Sequence, residues 1–595
     1  MSSGGVHTAF ASLFARGLVA AGVRSAIVSP GSRSTPLALA FAQESGLELT
    51  VAIDERAAGF MALGRARVTG LPTVVLTTSG TAAAHHHPAI LEADRAKIPL
   101  VVVTADRPPE LAHAHASQTV DQTKMFGAHV RVALDLGLPS EASLAAALRI
   151  AAQAVATSLG PDPGPVHVNA PFRKPLEPVD DDDSAPYVAR AAALLERGGP
   201  TIFAGHVRAD DGAIERATQL VEGAERPLVV LGPRWGGGRA LLRDRELVLV
   251  DASRQLLDTG VPVIAEATSG AFGFGAAIDG AALADAGGLC GDSMPDVVVA
   301  VGMPPVSQAL GALAPRHKIV VAPAGFPDPE GTATMLVHGD GADVLARIAA
   351  GSTSATHAKR RGAYRARLER RALLVSEAYR IEACEGTALT EPYALHAVAR
   401  ALPPGSTLMI GNSLVVRDLD AFGAGALDQV SVAHQRGAAG IDGLLAGAAG
   451  VRLATDAAAP VAVVLGDVSA LHDVGALSII RALRGPLAIV VIDNAGGRIF
   501  ESLPLAKHTE LASSFERLFL TPPPPFIEGV ARAFEVAYVH VDRRDALTES
   551  LRRALSSSVP VIVHVIVPPS DGTARRARAR GAAKRALEMD EPSHG

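Results

Sequence analysis

Short apolar runs that stop at polar or glycine-bearing turns recur along the chain, and helix-spaced apolar positions fill the gaps between them. Residues 26–28, 49–53, 74–76, 100–103 and 166–168 read as strands, each set off by a turn or a helical pattern. Five such alternations predict a doubly wound α/β domain over about 1–180. A second series, 228–231, 247–250, 261–264, 297–301 and 319–321, predicts another α/β domain over about 196–350. A third domain, about 385–570, carries apolar runs at 409–410, 461–465, 487–492 and 559–567. Between its second and third runs, Leu471, Val474, Leu477, Ile480 and Leu483 recur at helical spacing, so this stretch reads as one βαβ unit. The expected fold class is α/β, with three doubly wound parallel-sheet domains.

The intervening segments look different. The stretch 178–186, with aspartate at 180–183, is expected to be an exposed linker, and 351–356 a second one before a charged helix over about 358–383. The tail, 571–595, carries six basic side chains within the eleven residues 575–585. A solvated helix packed on the body is the expectation there, with polyanion binding the alternative.

Composition narrows the class. With 48% hydrophobic and 19% charged residues over 595 positions, the chain is globular and too long for one core. A net charge of −6 gives no footprint for nucleic acid. No uncharged apolar run reaches the ~18 residues of a membrane span. The N-terminus lacks the basic and apolar regions of a signal peptide. Cys290 and Cys384 have neither metal spacing nor a disulfide framework. A cytoplasmic protein is expected.

Two stretches carry candidate chemistry. The runs at 461–465 and 487–492 end at Gly466-Asp467 and Asp493-Asn494, followed by Gly496-Gly497. Asp467 and Asn494 are therefore expected at the carboxyl edge of neighbouring strands, where open α/β sheets bind ligands. A carboxylate, an amide oxygen and a glycine backbone suit a hard cation such as Mg²⁺ (or Mn²⁺) that shares its remaining sites with phosphate oxygens. The plain alternative is a Gly-Asp turn. The second stretch, Ser29-Pro-Gly-Ser-Arg-Ser-Thr-Pro36, places Arg33 at a strand-to-helix junction suited to an anion, or is simply a capped turn.

Taken together, SPGSRSTPLALA, DERAAGFMALGRA, TSGTAAA, TADRPPEL, SQTVDQTKMFG, GNSLVVRDLD, RGAAGIDGLL, GDVSALHDVGAL and NAGGRIFESLP resemble, in order, the thiamine-diphosphate-dependent synthases of menaquinone biosynthesis. That family joins 2-oxoglutarate to isochorismate, giving 2-succinyl-5-enolpyruvyl-6-hydroxy-3-cyclohexene-1-carboxylate. The resemblance implies the three-domain fold of thiamine-diphosphate enzymes: a pyrimidine-binding domain, a central domain and a diphosphate-binding domain. It implies that Asp467, Asn494 and the Gly496 carbonyl hold Mg²⁺. Ile441 would bend the cofactor, and Glu55 would hydrogen-bond its pyrimidine ring. The matching motifs also place Asn412, Ser413, Leu414, Gly466, Val468, Ser469, Gly497, Arg498, Ile499 and Phe500 at the cofactor. Arg33, Arg107, Arg417 and Arg436, with Ser32, Gln118 and Ser413, would meet the substrates' carboxylates. In this family each site draws on two chains, so a homodimer or homotetramer is implied.

The chain departs from the family pattern at Asp493, Ala495, Ser117, His85 and Arg498, and offers Gln308 where many members carry a lysine. One reading of the last two is a charge swap, with Arg498 replacing the missing central-domain cation. Other readings are a related lyase or carboligase with a different acceptor, and a cofactor-binding relative without catalysis.

Overall fold

The computed structural model describes residues 4–178, 185–203, 205–237, 240–275, 277–352, 355–569 and 571–590. It contains three six-stranded sheets, every pairing within them parallel. In the first, the strands lie in the order Glu48–Val51, Ser25–Val28, Thr73–Thr77, Leu100–Asp106, Pro165–Pro171, Ala133–Asp135. In the third they lie as Ser431–His434, Thr407–Ile410, Val461–Gly466, Leu487–Asp493, Val561–Ile566, Ala537–Val541. Counted along the chain, both sheets have the order 2-1-3-4-6-5. The middle sheet runs Met335–His338, His317–Ala322, Val297–Val301, Pro227–Leu231, Val263–Ala265, Ile278–Asp279, and its order is 6-5-4-1-2-3. Helices cover both faces, so central strands such as Leu487–Asp493 are buried almost throughout and read as unbroken apolar runs.

The expected strand at 247–250 is instead part of the helix Leu242–Asp258. Leu242, Leu249, Val250 and Leu256 face the core at helical spacing, while Val248 is 60% exposed. Four apolar residues in a row do not distinguish the two periods. The aspartates at 180–183 of the expected first linker lie outside the described residues, and the helix Ala185–Arg197 follows directly. The charged helix is longer than expected, spanning Ala355–Cys384. The basic tail forms a helix, Asp571–Asp590, packed along it. Among the described residues, one helical stretch, Glu141–Leu159, is long and apolar enough to cross a membrane. Leu144, Leu148, Ala151 and Val155 on it belong to the core beneath the first sheet.

First and third sheets share one core through two helices in close contact, Glu55–Thr69 and Leu444–Ala454. Glycines permit the approach. A Cβ on Gly64 would lie 2.1 Å from the Gly447 carbonyl oxygen, and one on Gly450 would lie 2.0 Å from that of Met61.

Candidate active site

In the third sheet the direction of strand order reverses between Thr407–Ile410 and Val461–Gly466, the place where such sheets hold ligands. Asp467 follows the second of these strands and is 1% exposed. Its carboxylate accepts hydrogen bonds from the Val468 and Gly496 N–H groups, at 2.9 and 2.7 Å. Burial, reinforced by the nearby Asp493, pushes the Asp467 carboxyl up to about 6, against the pull of those two N–H groups. Asp493 is held low, chiefly by His564, whose Nε2 lies 2.9 Å from Oδ2. The Tyr538 hydroxyl in turn lies 2.9 Å from His564 Nδ1.

Asn494 is buried at the end of the neighbouring strand. Its amide nitrogen donates to Glu391 at 3.0 Å, while its Oδ1 is buried without a partner. Gly496 has φ +116°, and a Cβ there would meet the Leu520 carbonyl oxygen at 2.2 Å. The loop thus needs glycine both for its conformation and for its space. Among the described residues no three His, Cys, Asp or Glu side chains are grouped to hold a metal. A cation here depends on amide and backbone oxygens beside Asp467.

Arg498 turns back on its own loop. It donates to the carbonyls of Asn494 at 3.0 Å and Ala495 at 3.1 Å, and pairs with Glu501 at 2.9 Å. Gln308 is exposed at the start of the short helix Gln308–Gly311. The charge-swap expectation is therefore corrected: the Arg498 guanidinium is committed to the loop's carbonyls and Glu501. Ile499 and Phe500 follow in the same turn, with Phe500 38% exposed and edge-on to Phe519. Ser469 is buried beneath Asp467, and Gly466 and Val468 are half-buried on either side.

Past the strand Thr407–Ile410, Asn412 donates to the carbonyls of Gln435 and Gly440, at 2.9 and 2.7 Å, and accepts from Arg436 at 2.7 Å. Ser413 has φ +68° and precedes the helix Leu414–Asp418, whose Arg417 donates to the Ser413 carbonyl at 2.6 Å. Burial, with Arg417 nearby, lowers the Arg436 pKa. Ile441 is half-buried just beyond Gly440. The turn itself is held from the first sheet's side. The buried Glu92 carboxylate accepts three successive N–H groups, Gly437, Ala438 and Ala439, at 2.8, 2.6 and 3.2 Å. Sequence reasoning passed over Glu92, because a single acid within a helix gives no signal.

The first sheet brings the remaining cations to its carboxyl edge, Arg33 after Ser25–Val28 at the equivalent reversal and Arg107 after Leu100–Asp106. Arg33 is 3% exposed and donates to the Phe172 carbonyl at 2.7 Å, leaving its Nε buried and unpartnered. Its pKa is lowered, first by burial and then by Arg107. Arg107 donates to Gln118 at 3.3 Å and lies along a cavity of about 470 Å³, together with Asp106, Gln122 and Asn169. Ser32 is exposed next to Arg33.

Glu55 opens its helix after Asp54, which caps the N–H groups of Arg56 and Ala57 at 2.9 and 3.2 Å. The next side chain, Arg56, donates to the His472 carbonyl at 3.0 Å and pairs with Asp473 at 3.6 Å. Among the described residues, no hydrogen bond or ion pair links Glu55 to Asp467 or Asn494. Arg33, Arg107 and Gln118 thus form one group, and Asn412, Ser413, Arg417 and Arg436 another.

Residues 8–125 match the family described as thiamine pyrophosphate enzyme, N-terminal TPP binding domain, and residues 430–565 its C-terminal TPP binding domain. A solved structure of a thiamin diphosphate-dependent enzyme isolated from Mycobacterium smegmatis shares the fold. Its TM-score is 0.68 at 18% identity, covering 95% of this chain and 99% of that one. A 2-succinyl-5-enolpyruvyl-6-hydroxy-3-cyclohexene-1-carboxylate synthase from Sorangium cellulosum is 42% identical, over 97% of this chain and 95% of its own length. Synthases of the same name from Haloarcula marismortui and Roseiflexus are 36% and 35% identical, over 97% and 95% of this chain and 98% and 96% of their own. The chain belongs to the 2-succinyl-5-enolpyruvyl-6-hydroxy-3-cyclohexene-1-carboxylate synthase family of thiamine pyrophosphate enzymes.

Proposed function

We propose that the chain decarboxylates 2-oxoglutarate and adds the remaining four-carbon unit to isochorismate, giving the product for which its relatives are named. The carrying observation is the pairing of the buried Asp467 carboxylate with the unpartnered Asn494 Oδ1 at adjacent strand ends. An anion raised to about 6 and an orphaned amide oxygen are the donors expected around an Mg²⁺ ion, so the residues present fit the metal. Asp467, Asn494 and the Gly496 carbonyl would hold it against a diphosphate. When bound, thiamine diphosphate supplies a centre that accepts the electron pair left as CO₂ departs.

The chain's own residues do the rest. Glu55 presents a carboxyl that can share a proton with the cofactor's ring nitrogen, and Ile441 supports the cofactor from an apolar side. Arg33 and Arg107, with Gln118 and Ser32, meet one set of carboxylates, and Arg417, Arg436 and Ser413 another. Guanidinium forks suit these dianionic acids because they bind carboxylate in bidentate fashion. Ile499 and Phe500 shield the reacting atoms from water.

The working unit in this reading is at least a dimer. Glu55 starts its helix beside residues 472–473 of its own chain, and the apolar side chains near that contact, Val51, Ile53 and Leu471, are 59%, 76% and 39% exposed.

Product analysis by mass spectrometry tests the reaction, with Mg²⁺, thiamine diphosphate and 2-oxoglutarate, and isochorismate either present or omitted. The adduct is expected only with both substrates. CO₂ release with no isochorismate adduct would instead favour a carboligase with another acceptor.

A further inference from the structure

The basic C-terminal helix, Asp571–Asp590, is more than a solvated appendage. Arg576 pairs with Asp418 and with Glu391, at 2.6 Å for the latter, and both carboxylates are almost completely buried. The other oxygen of Glu391 accepts the Asn494 amide N–H at 3.0 Å. An amide group has one donor end and one acceptor end, so this bond decides which end faces the site. With its nitrogen turned to Glu391, Asn494 leaves Oδ1 buried and free.

The helix approaches closely enough to do this because Gly572 lies against the same group. A Cβ there would fall 2.6 Å from Glu391 Oε2 and 3.0 Å from Arg576. A second arm reaches the backbone of the loop. Thr573 hydrogen-bonds Glu501, which pairs with the Arg498 that donates to the Asn494 and Ala495 carbonyls.

We propose that Arg576 and Glu391 are positioning residues for the divalent cation: the C-terminal helix sets the Asn494 amide with its oxygen towards the metal. When ionised, Glu391 can only accept, and the Arg576 guanidinium, which it shares with Asp418, is the cation that favours that form. This rests on the metal site proposed above.

The test is Mn²⁺ affinity in the presence of thiamine diphosphate, read from the loss of the free-ion electron paramagnetic resonance signal. In Glu391→Gln, Arg576 attracts the new amide's oxygen, so its NH₂ faces Asn494 and turns that side chain over. Affinity is expected to fall about 10- to 100-fold, the usual cost of losing the partner of a metal ligand. Glu391→Asp keeps the charge opposite Arg576 but withdraws the oxygen from Asn494, and should show the same loss even if the glutamine variant fails to fold. Arg576→Met should lower affinity, and Arg576→Lys should recover part of it. Lys584→Ala, on an exposed part of the helix, should change nothing.

At saturating Mn²⁺ the Glu391 variants should regain most of kcat with KM for 2-oxoglutarate unchanged. A folded Glu391 variant that binds Mn²⁺ as wild type does, or that loses kcat at unchanged affinity, overturns the inference. Wild type that binds no Mn²⁺, or binding that survives Asp467→Ala, would overturn the metal site itself.

Discussion

Asp467 and Glu55 differ in what their surroundings ask of them. Asp467 is buried beside a second carboxylate, Asp493, and needs a cation to stay ionised without penalty. Replacing it by alanine should abolish Mg²⁺-dependent retention of thiamine diphosphate, and calorimetric titration with and without Mg²⁺ would show this. Among the described residues Glu55 has no side-chain hydrogen bond or ion pair, which leaves its carboxyl available for the role proposed above. Glu55→Gln is expected to bind the cofactor yet slow hydrogen–deuterium exchange at its C2 position by ~10² or more, the scale of a lost acid–base group. Quench-flow NMR measures that rate, and wild-type exchange would remove Glu55 from its proposed role. Both residues stand out in the sequence as candidates because each sits in a stretch that resembles a family motif. Glu92, Glu391 and Arg576 do not, since their partners lie 103 to 347 residues away and only the fold brings them together.

At the scale of elements, legibility tracked position in the sheet. The strands that sequence periodicity missed, Ala133–Asp135, Ile278–Asp279, Met335–His338, Ser431–His434 and Ala537–Val541, all lie at sheet edges. An edge strand needs a less continuous apolar run, whereas an inner strand of a parallel sheet is covered on both faces. The contact between Glu55–Thr69 and Leu444–Ala454 was hidden for another reason: its glycines break no pattern, and their purpose is space. Gly450→Ala should cost roughly 1–3 kcal/mol through overpacking, as a drop in denaturation midpoint would show.

The helix Leu242–Asp258 carries a further device. Its Glu246 accepts the Val432 N–H at 3.0 Å from the third sheet's edge strand, and complete burial pushes its carboxyl up to about 7. The folded pKa lies above the ordinary 4.5, so this group's contribution is fully present below about pH 4.5 and lost as pH rises through about 7. Glu246→Gln should therefore gain stability relative to wild type between pH 5 and pH 8, by up to about 3 kcal/mol. Melting temperatures at the two pH values provide the check.

For the whole molecule, the proposed sharing of sites between chains makes a mixing experiment decisive. Glu55→Gln and Asp467→Ala proteins, each inactive, should regain activity when their chains exchange, because one site of the mixed dimer receives both defects and the other neither. Exchange verified by native mass spectrometry without recovered activity would place each site within one chain. The repeated strand order has a different outcome. After the fourth strand in each count, the first sheet offers Arg107 and the third offers Asn494 beside the acid of the strand before it. In the proposed reading the ends of these two fourth strands serve different groups: the first sheet's takes a carboxylate directly through Arg107, and the third sheet's takes a diphosphate through a divalent ion. A chelator should therefore uncouple the two ends of the reaction's binding equipment, releasing phosphate-bearing ligands while small dicarboxylates keep their hold on the arginines.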